Sequence, residues 1–448
     1  MEAKVLLREI DDYCRTHTLA ESTFGRLAVN DGKFVGRLKN GGKVTTSTVE
    51  RVRAFMHQAE SANGDANEGG QNQNFRFYDN RQKYLMFVTT CGEKWVVADR
   101  VAHELDLIKP RPPALRIFDA GMGDGTVLAR VMRAMHYKFE KYPFYVVGKE
   151  ISLEDVRLTL EKMPDRFFEH PATALVLTNL PYAESPWLTP RDPAEASRLL
   201  WKEVALKGAT TAEFERQITD LQGFLAENWR AGASKKTGNP VYQRPVVLIL
   251  YREDCRFLLD ATLPKRGVSR ADFDLVLASQ PYRARSSTEF KAKYVVAPLA
   301  RALGPGGRLI GIHSHGDDPG LEIINRVWPD ERPFHTDRHA LLREVKRQLG
   351  KDAHAFHLGP GPDSKALFRY EMHTLPGEID QHAVSIGTST LWAAWNAAVY
   401  VAQIEDQRLA EAMAQGAYIE ATREVLRKHG GLWFWDESYV IARKRDLV

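Results

Sequence analysis

The sequence has little cysteine, with only Cys14, Cys91 and Cys255 among 448 residues. Their number is odd and they are far apart, in no spacing typical of metal ligands, which argues against a disulfide framework and fits a reducing compartment. The chain also lacks a run of about 18 uncharged apolar residues, so no membrane span is indicated. Its start, MEAKVLLREIDD, carries charges inside its apolar run, unlike a secretion signal. We therefore expect a cytoplasmic protein.

An excess of charge of one sign is also missing. The chain has 62 Lys and Arg against 58 Asp and Glu, for a net charge of +4. Such a balance permits contact with nucleic acid or other anions but does not require it. The apolar fraction of 44% and the length of 448 residues predict a globular protein of two or three domains.

A polar segment divides the chain. Residues 57–74 are rich in Gly, Asn and Gln and lack apolar periodicity, which predicts a flexible linker between a module at 1–56 and a body at 75–448. The module contains short helical patterns separated by the turn-like VNDG. Bases outnumber acids between Arg26 and Arg53, as Arg26, Lys33, Arg37, Lys39, Lys43, Arg51 and Arg53 face only Asp31 and Glu50.

This module resembles the helix-turn-helix domains of repressor-type DNA-binding proteins, with residues 33–40 as the recognition helix. The resemblance implies contact with DNA through residues 22–53, because the basic excess suits phosphate groups. The alternative is a helical dimerisation or docking module whose bases form a solvated face, which is compatible with a homodimer.

The body alternates helical patterns with apolar runs. The runs LRIFDA, FYVVGKE, TALVLTNL, FDLVLASQ and GRLIGIHS lack strict alternation, as do strands buried on both faces of a parallel sheet. They predict an α/β fold with a doubly wound, mostly parallel sheet and a site at the carboxyl ends of its strands. Residues 183–244 are predicted to form a helical insertion that shapes a substrate site. Whether PVVLILYRE joins the sheet stays open, and ALFRYEMHTL and LWFWDESYVIARK are candidate edge strands, one of them antiparallel.

The stretch DAGMGDGT follows the first of these runs. Asp119 ends the strand, and Gly121, Gly123 and Gly125 remove Cβ atoms where the chain turns into a helix, so a ligand can approach the backbone. The dinucleotide fingerprint G-x-G-x-x-G requires a third glycine where Thr126 stands, so nicotinamide and flavin are poor matches.

This stretch resembles motif I of the class I S-adenosylmethionine-dependent methyltransferases, in which an acid ends the strand and alternating glycines follow. Glu150, at the end of FYVVGKE, and the turn in ALGPGGRLIGI extend the resemblance over roughly residues 95–315. It implies a seven-stranded Rossmann-like sheet with S-adenosylmethionine as cofactor. Asp119, the three glycines and Glu150 would hold the cofactor, with Glu150 on its ribose hydroxyls.

Two segments compete for the position that faces the substrate. In methyltransferases that act on amino groups, a tetrad of Asn, Asp or Ser, a variable residue, Pro and an aromatic residue follows the fourth strand. Residues 179–182 match this tetrad better by residue type. Residues 279–282 match it better by position, one helix before GPGGRL. Position is favoured, although Gln280 departs from the usual apolar residue. The predicted catalytic residues are Ser279, Gln280, Pro281 and Tyr282, and Asn179 and Leu180 are then expected near the adenine of the cofactor.

Other chemistry-bearing residues allow weaker interpretations. His313, His315 and Asp317 have a spacing reminiscent of a metallo-hydrolase site, but they continue the predicted fifth strand, so no metal is expected. Asp436 and Glu437 are candidate bases only if they point inward, and CGEKW is a candidate cap over the cofactor.

The favoured function is methylation of an amino nitrogen on nucleic acid, most simply adenine N6 in DNA, which requires the base to be flipped out of a duplex. The alternative is methylation of a small molecule or metabolite, with the first module serving regulation or assembly. A third hypothesis is a DNA-binding regulator that only senses the methyl donor.

Overall fold

The computed structural model describes residues 81–234, 240–374 and 386–445 together with residue 379, and in the first part of the chain residues 6–7, 9–11, 13–14, 21–29, 31–40, 48–49 and 52. The chain divides into two compact units, Met1–Gln73 and Asn74–Val448. The linker predicted at residues 57–74 lies outside the described residues, as do Lys43, Arg51 and Arg53.

The first unit contains two short helices joined by a tight turn, α1 (Glu21–Val29) and α2 (Phe34–Lys39). A Cβ on Gly25 would lie 2.4 Å from the Asp31 carbonyl oxygen, so only glycine permits this turn. Helix α2 lies where the recognition helix was predicted, at residues 33–40. Two of its basic residues are engaged by acids, since Arg37 pairs with Asp31 and Lys39 with Glu21. DNA binding by this unit stays a prediction.

The second unit is built on a large sheet. The strands of this sheet are β1 (Leu115–Asp119), β2 (Phe144–Lys149), β3 (Thr173–Thr178), β4 (Leu200–Leu206), β7 (Val246–Arg252), β8 (Phe273–Ser279), β9 (Leu303–Ser314), β10 (Phe356–Gly359), β11 (Leu367–Glu371) and β12 (Trp433–Arg443). Two further strands, β5 (Ala231–Ala233) and β6 (Pro240–Tyr242), form a separate antiparallel pair.

Helices cover both faces of this sheet. They are α3 (Arg81–Thr90), α4 (Glu93–Leu105), α5 (Thr126–Phe139), α6 (Leu153–Glu161), α7 (Met163–Glu169), α8 (Pro193–Arg198), α9 (Thr211–Thr219), α10 (Gln222–Asn228), α11 (Arg256–Leu259), α12 (Thr288–Lys291), α13 (Ala297–Arg301), α14 (Pro319–Val327), α15 (Arg338–Leu349), α16 (Asp363–Ala366), α17 (Thr388–Val401), α18 (Asp406–Gln415) and α19 (Ala417–His429). Among the described residues, no helix is both long and apolar enough to cross a membrane.

The strand order is β10-β12-β9-β8-β1-β2-β3-β7-β4, and β11 pairs with β12. The pairs β1–β2, β2–β3, β1–β8, β8–β9 and β4–β7 are parallel, which confirms the predicted doubly wound, mostly parallel sheet. The sheet has ten strands, more than the seven expected. PVVLILYRE joins it as β7, antiparallel to β3. The run LWFWDESYVIARK is antiparallel to β9, as β12, but it lies inside the sheet because β10 pairs with its other side.

The segment 183–244 is less helical than the sequence indicated. It contains α8, α9 and α10, but β4 within it pairs in parallel with β7 and extends the main sheet. Strand β4 is half-buried along most of its length, so its sequence LWKEVAL carries no continuous apolar run that would mark a buried strand. Thr210 and Glu213 form a capping box at the start of α9.

Candidate active site

The sheet reverses its winding direction at β1. From β1 the chain proceeds outward through β2 and β3 on one side, and β8 and β9 lie on the other. In open α/β sheets a ligand crevice forms at such a point, outside the carboxyl ends of the strands. Strand β1 ends at Asp119 and β8 at Ser279, and a cavity of about 600 Å³, counting its open mouth, lies between them. Its lining includes Glu93, Lys94, Asp119, Gly121, Gln280 and Tyr370.

The three glycines of the loop between β1 and α5 differ in their backbone conformation and in what a side chain would meet there. Gly125 has φ +75°, and a Cβ there would lie 2.6 Å from the Thr159 hydroxyl oxygen, so this glycine is required for packing. Gly123 has φ +52°, a backbone conformation that L side chains rarely adopt. A Cβ on Gly121 would meet nothing within 4 Å, because this glycine borders the cavity. Of the three, Gly121 is the one that leaves space for a ligand.

Asp119 lines the cavity, and one of its carboxylate oxygens has no hydrogen-bond partner in the described part of the chain. Its side chain is buried, and Oδ1 accepts a hydrogen bond from the Gly121 backbone N–H at 3.2 Å. Its Oδ2 is buried with no hydrogen-bond partner among the described residues. Burial raises the pKa of this carboxyl to about 7. A buried acceptor without a partner is costly, so it indicates a place where a ligand donates a hydrogen bond.

Glu150 joins the second strand to the glycine loop. Its carboxylate accepts hydrogen bonds from the backbone N–H groups of Gly123 at 3.1 Å, Ile151 at 2.7 Å and Ser152 at 2.9 Å. A carboxylate offers about four lone-pair positions, so one remains for a ligand hydroxyl. Burial raises the pKa of Glu150 despite the neighbouring Lys149 ammonium. Glu150 thus contacts the glycine loop through Gly123, although Glu150 itself is not among the residues that line the cavity. That these residues hold a cofactor stays a prediction.

Asn179 and Leu180 follow β3 and are not among the residues that line the cavity. The Asn179 amide donates to the Arg244 carbonyl oxygen at 2.9 Å, and its carbonyl oxygen accepts from the Val246 backbone N–H at 2.8 Å. Its polar atoms therefore fasten the end of β3 to β7. The Leu180 side chain is fully buried in the core on one face of the sheet. Neither side chain lines the cavity, so their contact with adenine stays a prediction.

The two competing tetrads touch each other. The Tyr182 hydroxyl donates a hydrogen bond to the Pro281 carbonyl oxygen at 2.7 Å. Ser279 and Gln280 line the cavity, and Gln280 is a non-glycine residue at φ +47°. Tyr282 does not line it, because its ring is buried in the same core cluster as Leu180.

Tyr282 belongs to a buried hydrogen-bond network. The Tyr282 hydroxyl lies 2.6 Å from His313 Nδ1, and His313 Nε2 lies 2.7 Å from a carboxylate oxygen of Glu437. Glu437 also accepts from the Arg338 backbone N–H and guanidinium, both at 2.9 Å. Within the described residues, no group of three or more His, Cys, Asp or Glu is arranged to hold a metal ion. His313 is instead engaged by protein groups on both ring nitrogens.

Most of the cavity wall opposite the glycine loop comes from residues that carry no motif in the sequence. Lys94, on α4, places its ammonium 5.7 Å from the centre of the Tyr84 ring, next to Gly123. Glu93 precedes it, and Tyr370 comes from β11. Two segments were candidate caps over the cofactor in the sequence, YDNRQKY, which ends at Tyr84, and CGEKW, which contains Glu93 and Lys94. A local pattern could not show which side of α4 faces the glycine loop.

The chain was compared with known proteins. No protein-family model and no curated protein sequence matches it. Geranyl diphosphate methyltransferase in complex with SAM is 12% identical, with 86% of this chain and 94% of that chain covered and a TM-score of 0.28. A phosphoethanolamine N-methyltransferase of Haemonchus contortus is 11% identical, with 84% and 61% covered and a TM-score of 0.28. A type I restriction-modification methyltransferase subunit of Streptococcus thermophilus is 14% identical, with 76% and 59% covered and a TM-score of 0.22. With TM-scores below 0.3, the function proposed below is inferred from the site's own residues.

Proposed function

We propose that this protein is an S-adenosylmethionine-dependent methyltransferase that transfers a methyl group to an amino nitrogen. The observation that carries the proposal is the buried Asp119 Oδ2, without a hydrogen-bond partner among the described residues, beside the open backbone of Gly121 where the sheet reverses its winding. A nucleoside with an amino acid tail has hydroxyl and ammonium donors for such acceptors and a carboxylate for a nearby cation.

The residues present fit this cofactor. The remaining lone-pair position of Glu150 suits a ribose hydroxyl, and Asp119 suits a donor group deeper in the cavity. Lys94 suits the carboxylate of the methionine tail, since no carboxylate lies within 4 Å of its ammonium in the described part of the chain. When bound, the cofactor supplies a methyl group activated by a sulfonium. The protein contributes orientation and exclusion of water, which are the main requirements for methyl transfer.

The end of β8 is proposed to position the acceptor. The Gln280 amide donates to the Ser314 hydroxyl at 3.2 Å and to an Asp436 carboxylate oxygen at 3.3 Å. These bonds hold Gln280 in its strained backbone conformation, and such strain is concentrated at functional sites. Ser279 and the backbone of Gln280 then lie at the cavity wall, where acceptors for an amino group are needed.

Substitution of Gly121 tests the cofactor site. We expect Gly121→Val to fold normally, because its Cβ meets no protein atom, and to weaken binding of S-adenosylhomocysteine roughly a hundredfold or more by filling the ligand's space. Isothermal titration calorimetry on the full chain measures this. Gly431→Val is the matched control, since a Cβ on Gly431 also meets nothing within 4 Å and the residue lies outside the cavity. Equal affinity in both variants, or no heat with the unsubstituted protein, contradicts the proposal.

A nucleic acid is the second candidate for the acceptor, and the exposed Lys33 at the start of α2 favours it. If the first unit binds DNA, Lys33→Glu should weaken binding of duplex DNA to the full chain and reduce its dependence on salt. Electrophoretic mobility shifts at two salt concentrations measure both effects. Equal shifts for both proteins, or no shift at all, reject Lys33 as a DNA contact.

A further inference from the structure

Part of the cavity wall is acidic and has no paired cation. Glu93 lines the cavity and is buried, and Asp436 lies behind it, fully buried and hydrogen-bonded to Gln280. In the described part of the chain, no Lys, Arg or His nitrogen lies within 4 Å of either carboxylate. The charges that act most strongly on Asp436 come from two further acids, Glu93 and Asp318. Buried carboxylates without a paired cation are unusual in proteins, because burial of an unpaired charge is costly.

Asp318 has a capping role at the start of α14. Its carboxylate accepts hydrogen bonds from the Leu321 N–H at 2.8 Å and the Trp435 N–H at 3.0 Å, so it caps α14. One Asp436 oxygen, Oδ2, is buried without any hydrogen-bond partner among the described residues. Glu93 lies in the first turn of α4, where an acid is favoured, and the Lys94 ammonium lowers its pKa against the effect of burial. Asp436 is explained neither by helix capping nor by ion pairing among the described residues.

A second observation at the same wall points to a ligand. The Tyr370 side chain is almost fully buried and lines the cavity, yet its hydroxyl has no hydrogen-bond partner among the described residues. Its ring belongs to an aromatic group with Phe87 and Tyr400. The centre of the Phe87 ring lies 6.1 Å from that of Tyr370 and 4.7 Å from that of Tyr400. Aromatic faces beside buried carboxylates attract organic cations, by cation–π interaction and by burial of apolar surface.

We propose that the acceptor is a small molecule with a primary or secondary ammonium group on a compact apolar or aromatic body. The Glu93 carboxylate and the Tyr370 hydroxyl bind the ammonium, Asp436 adds negative charge behind them, and Phe87 and Tyr400 cover the body. This inference rests on the methyltransferase function proposed above and specifies its acceptor. A nucleic acid fits less well, because its phosphates would approach an acidic wall.

Such an acceptor also needs a base, and the site offers one. Burial raises the pKa of Glu93, and the same cause acts on Asp436. The ammonium gives one proton to the Glu93 carboxylate, and the freed nitrogen lone pair forms the new N–C bond. The C–S bond breaks with its electron pair left on sulfur, so the products are a methylammonium, a neutral thioether and one proton, which leaves from Glu93 to water.

Binding of a matched pair of probes tests the proposal. The full chain is first saturated with S-adenosylhomocysteine, then titrated with phenethylamine and, separately, with 2-phenylethanol, which has the same shape without the charge. We expect the amine to bind at least about tenfold more tightly than the alcohol. Glu93→Gln and Tyr370→Phe should each reduce this preference severalfold while the affinity for S-adenosylhomocysteine is retained. Tyr370→Phe removes only an unpartnered hydroxyl, so it should fold normally.

The outcomes separate the two proposals. Failure of S-adenosylhomocysteine to bind contradicts the methyltransferase function itself. Normal binding of S-adenosylhomocysteine with equal affinity for amine and alcohol overturns only the acceptor proposal, as does an unchanged preference in both variants. Transfer of labelled methyl groups from the cofactor to duplex DNA, but not to amines, likewise overturns it in favour of the nucleic-acid alternative.

Discussion

Replacement of Asp119 by asparagine is expected to make the protein more stable and, at the same time, unable to bind its cofactor normally. The carboxyl is buried, and its pKa of about 7 lies above the ordinary value of 3.8. A group with a raised folded-state pKa contributes stability at low pH that is lost as the pH rises through the folded-state value. The contribution of the Asp119 carboxyl to the free energy of unfolding is therefore fully present below about pH 4. Between pH 4 and 8 the free energy of unfolding falls by at most about 4 kcal/mol as this contribution is lost.

The asparagine side chain in this variant keeps the acceptor for the Gly121 N–H but has no charge to lose. The free energy of unfolding of Asp119→Asn should thus exceed that of the unsubstituted protein at pH 8 and approach it at pH 5, as measured by urea denaturation. Binding of S-adenosylhomocysteine should weaken at least about tenfold, because an N–H donor replaces the unpartnered acceptor. Asp260→Asn, at an exposed position, is the control and should change neither quantity. A stability difference that is the same at both pH values would contradict the argument.

The second large effect is expected at Glu437. This carboxylate is buried and binds His313 and Arg338, both of which are themselves buried. We expect Glu437→Gln to lower the free energy of unfolding by about 3–5 kcal/mol, because the Arg338 guanidinium loses its buried counter-charge. Glu371→Gln is the matched control. Its pair with Arg369 is about half exposed on both sides, so the cost should stay below about 1 kcal/mol.

The same network predicts a pH dependence. Burial alone would raise the pKa of Glu437, but the hydrogen bonds from His313, His315 and Arg338 lower it well below its usual range. A group with a lowered pKa contributes stability above its unfolded value, near pH 4.5, and this contribution is lost as the pH falls towards the folded value. Acid denaturation should therefore be steeper below pH 4.5 for the unsubstituted protein than for Glu437→Gln. Parallel acid transitions in the two proteins would show that Glu437 does not carry this stability.

Local spacing accounts for what the sequence predicted correctly. Asp119, the glycines and Thr126 lie within a single turn, so the strand end, the loop and the helix start follow from neighbouring residues. The parallel strands were recognisable because burial on both faces requires continuous apolar runs. Strand β4 and the fastening role of Asn179 were missed for the opposite reason. Strand β4 is half-exposed, and Asn179 bonds to residues more than sixty positions away.

The sequence by itself determined the glycine turn, the acid at the end of β1 and the acid after β2, because these depend on residues a few positions apart. Only the tertiary structure decided what faces them. Asp436 and Glu437 are adjacent, but the pairing of β12 with β9 places Asp436 opposite Ser314 and Glu437 opposite His313, and successive side chains of a strand point to opposite faces. The acid that bonds to Gln280 of the cavity wall and the acid in the buried network are thus assigned by the register of two distant strands, which no local pattern encodes.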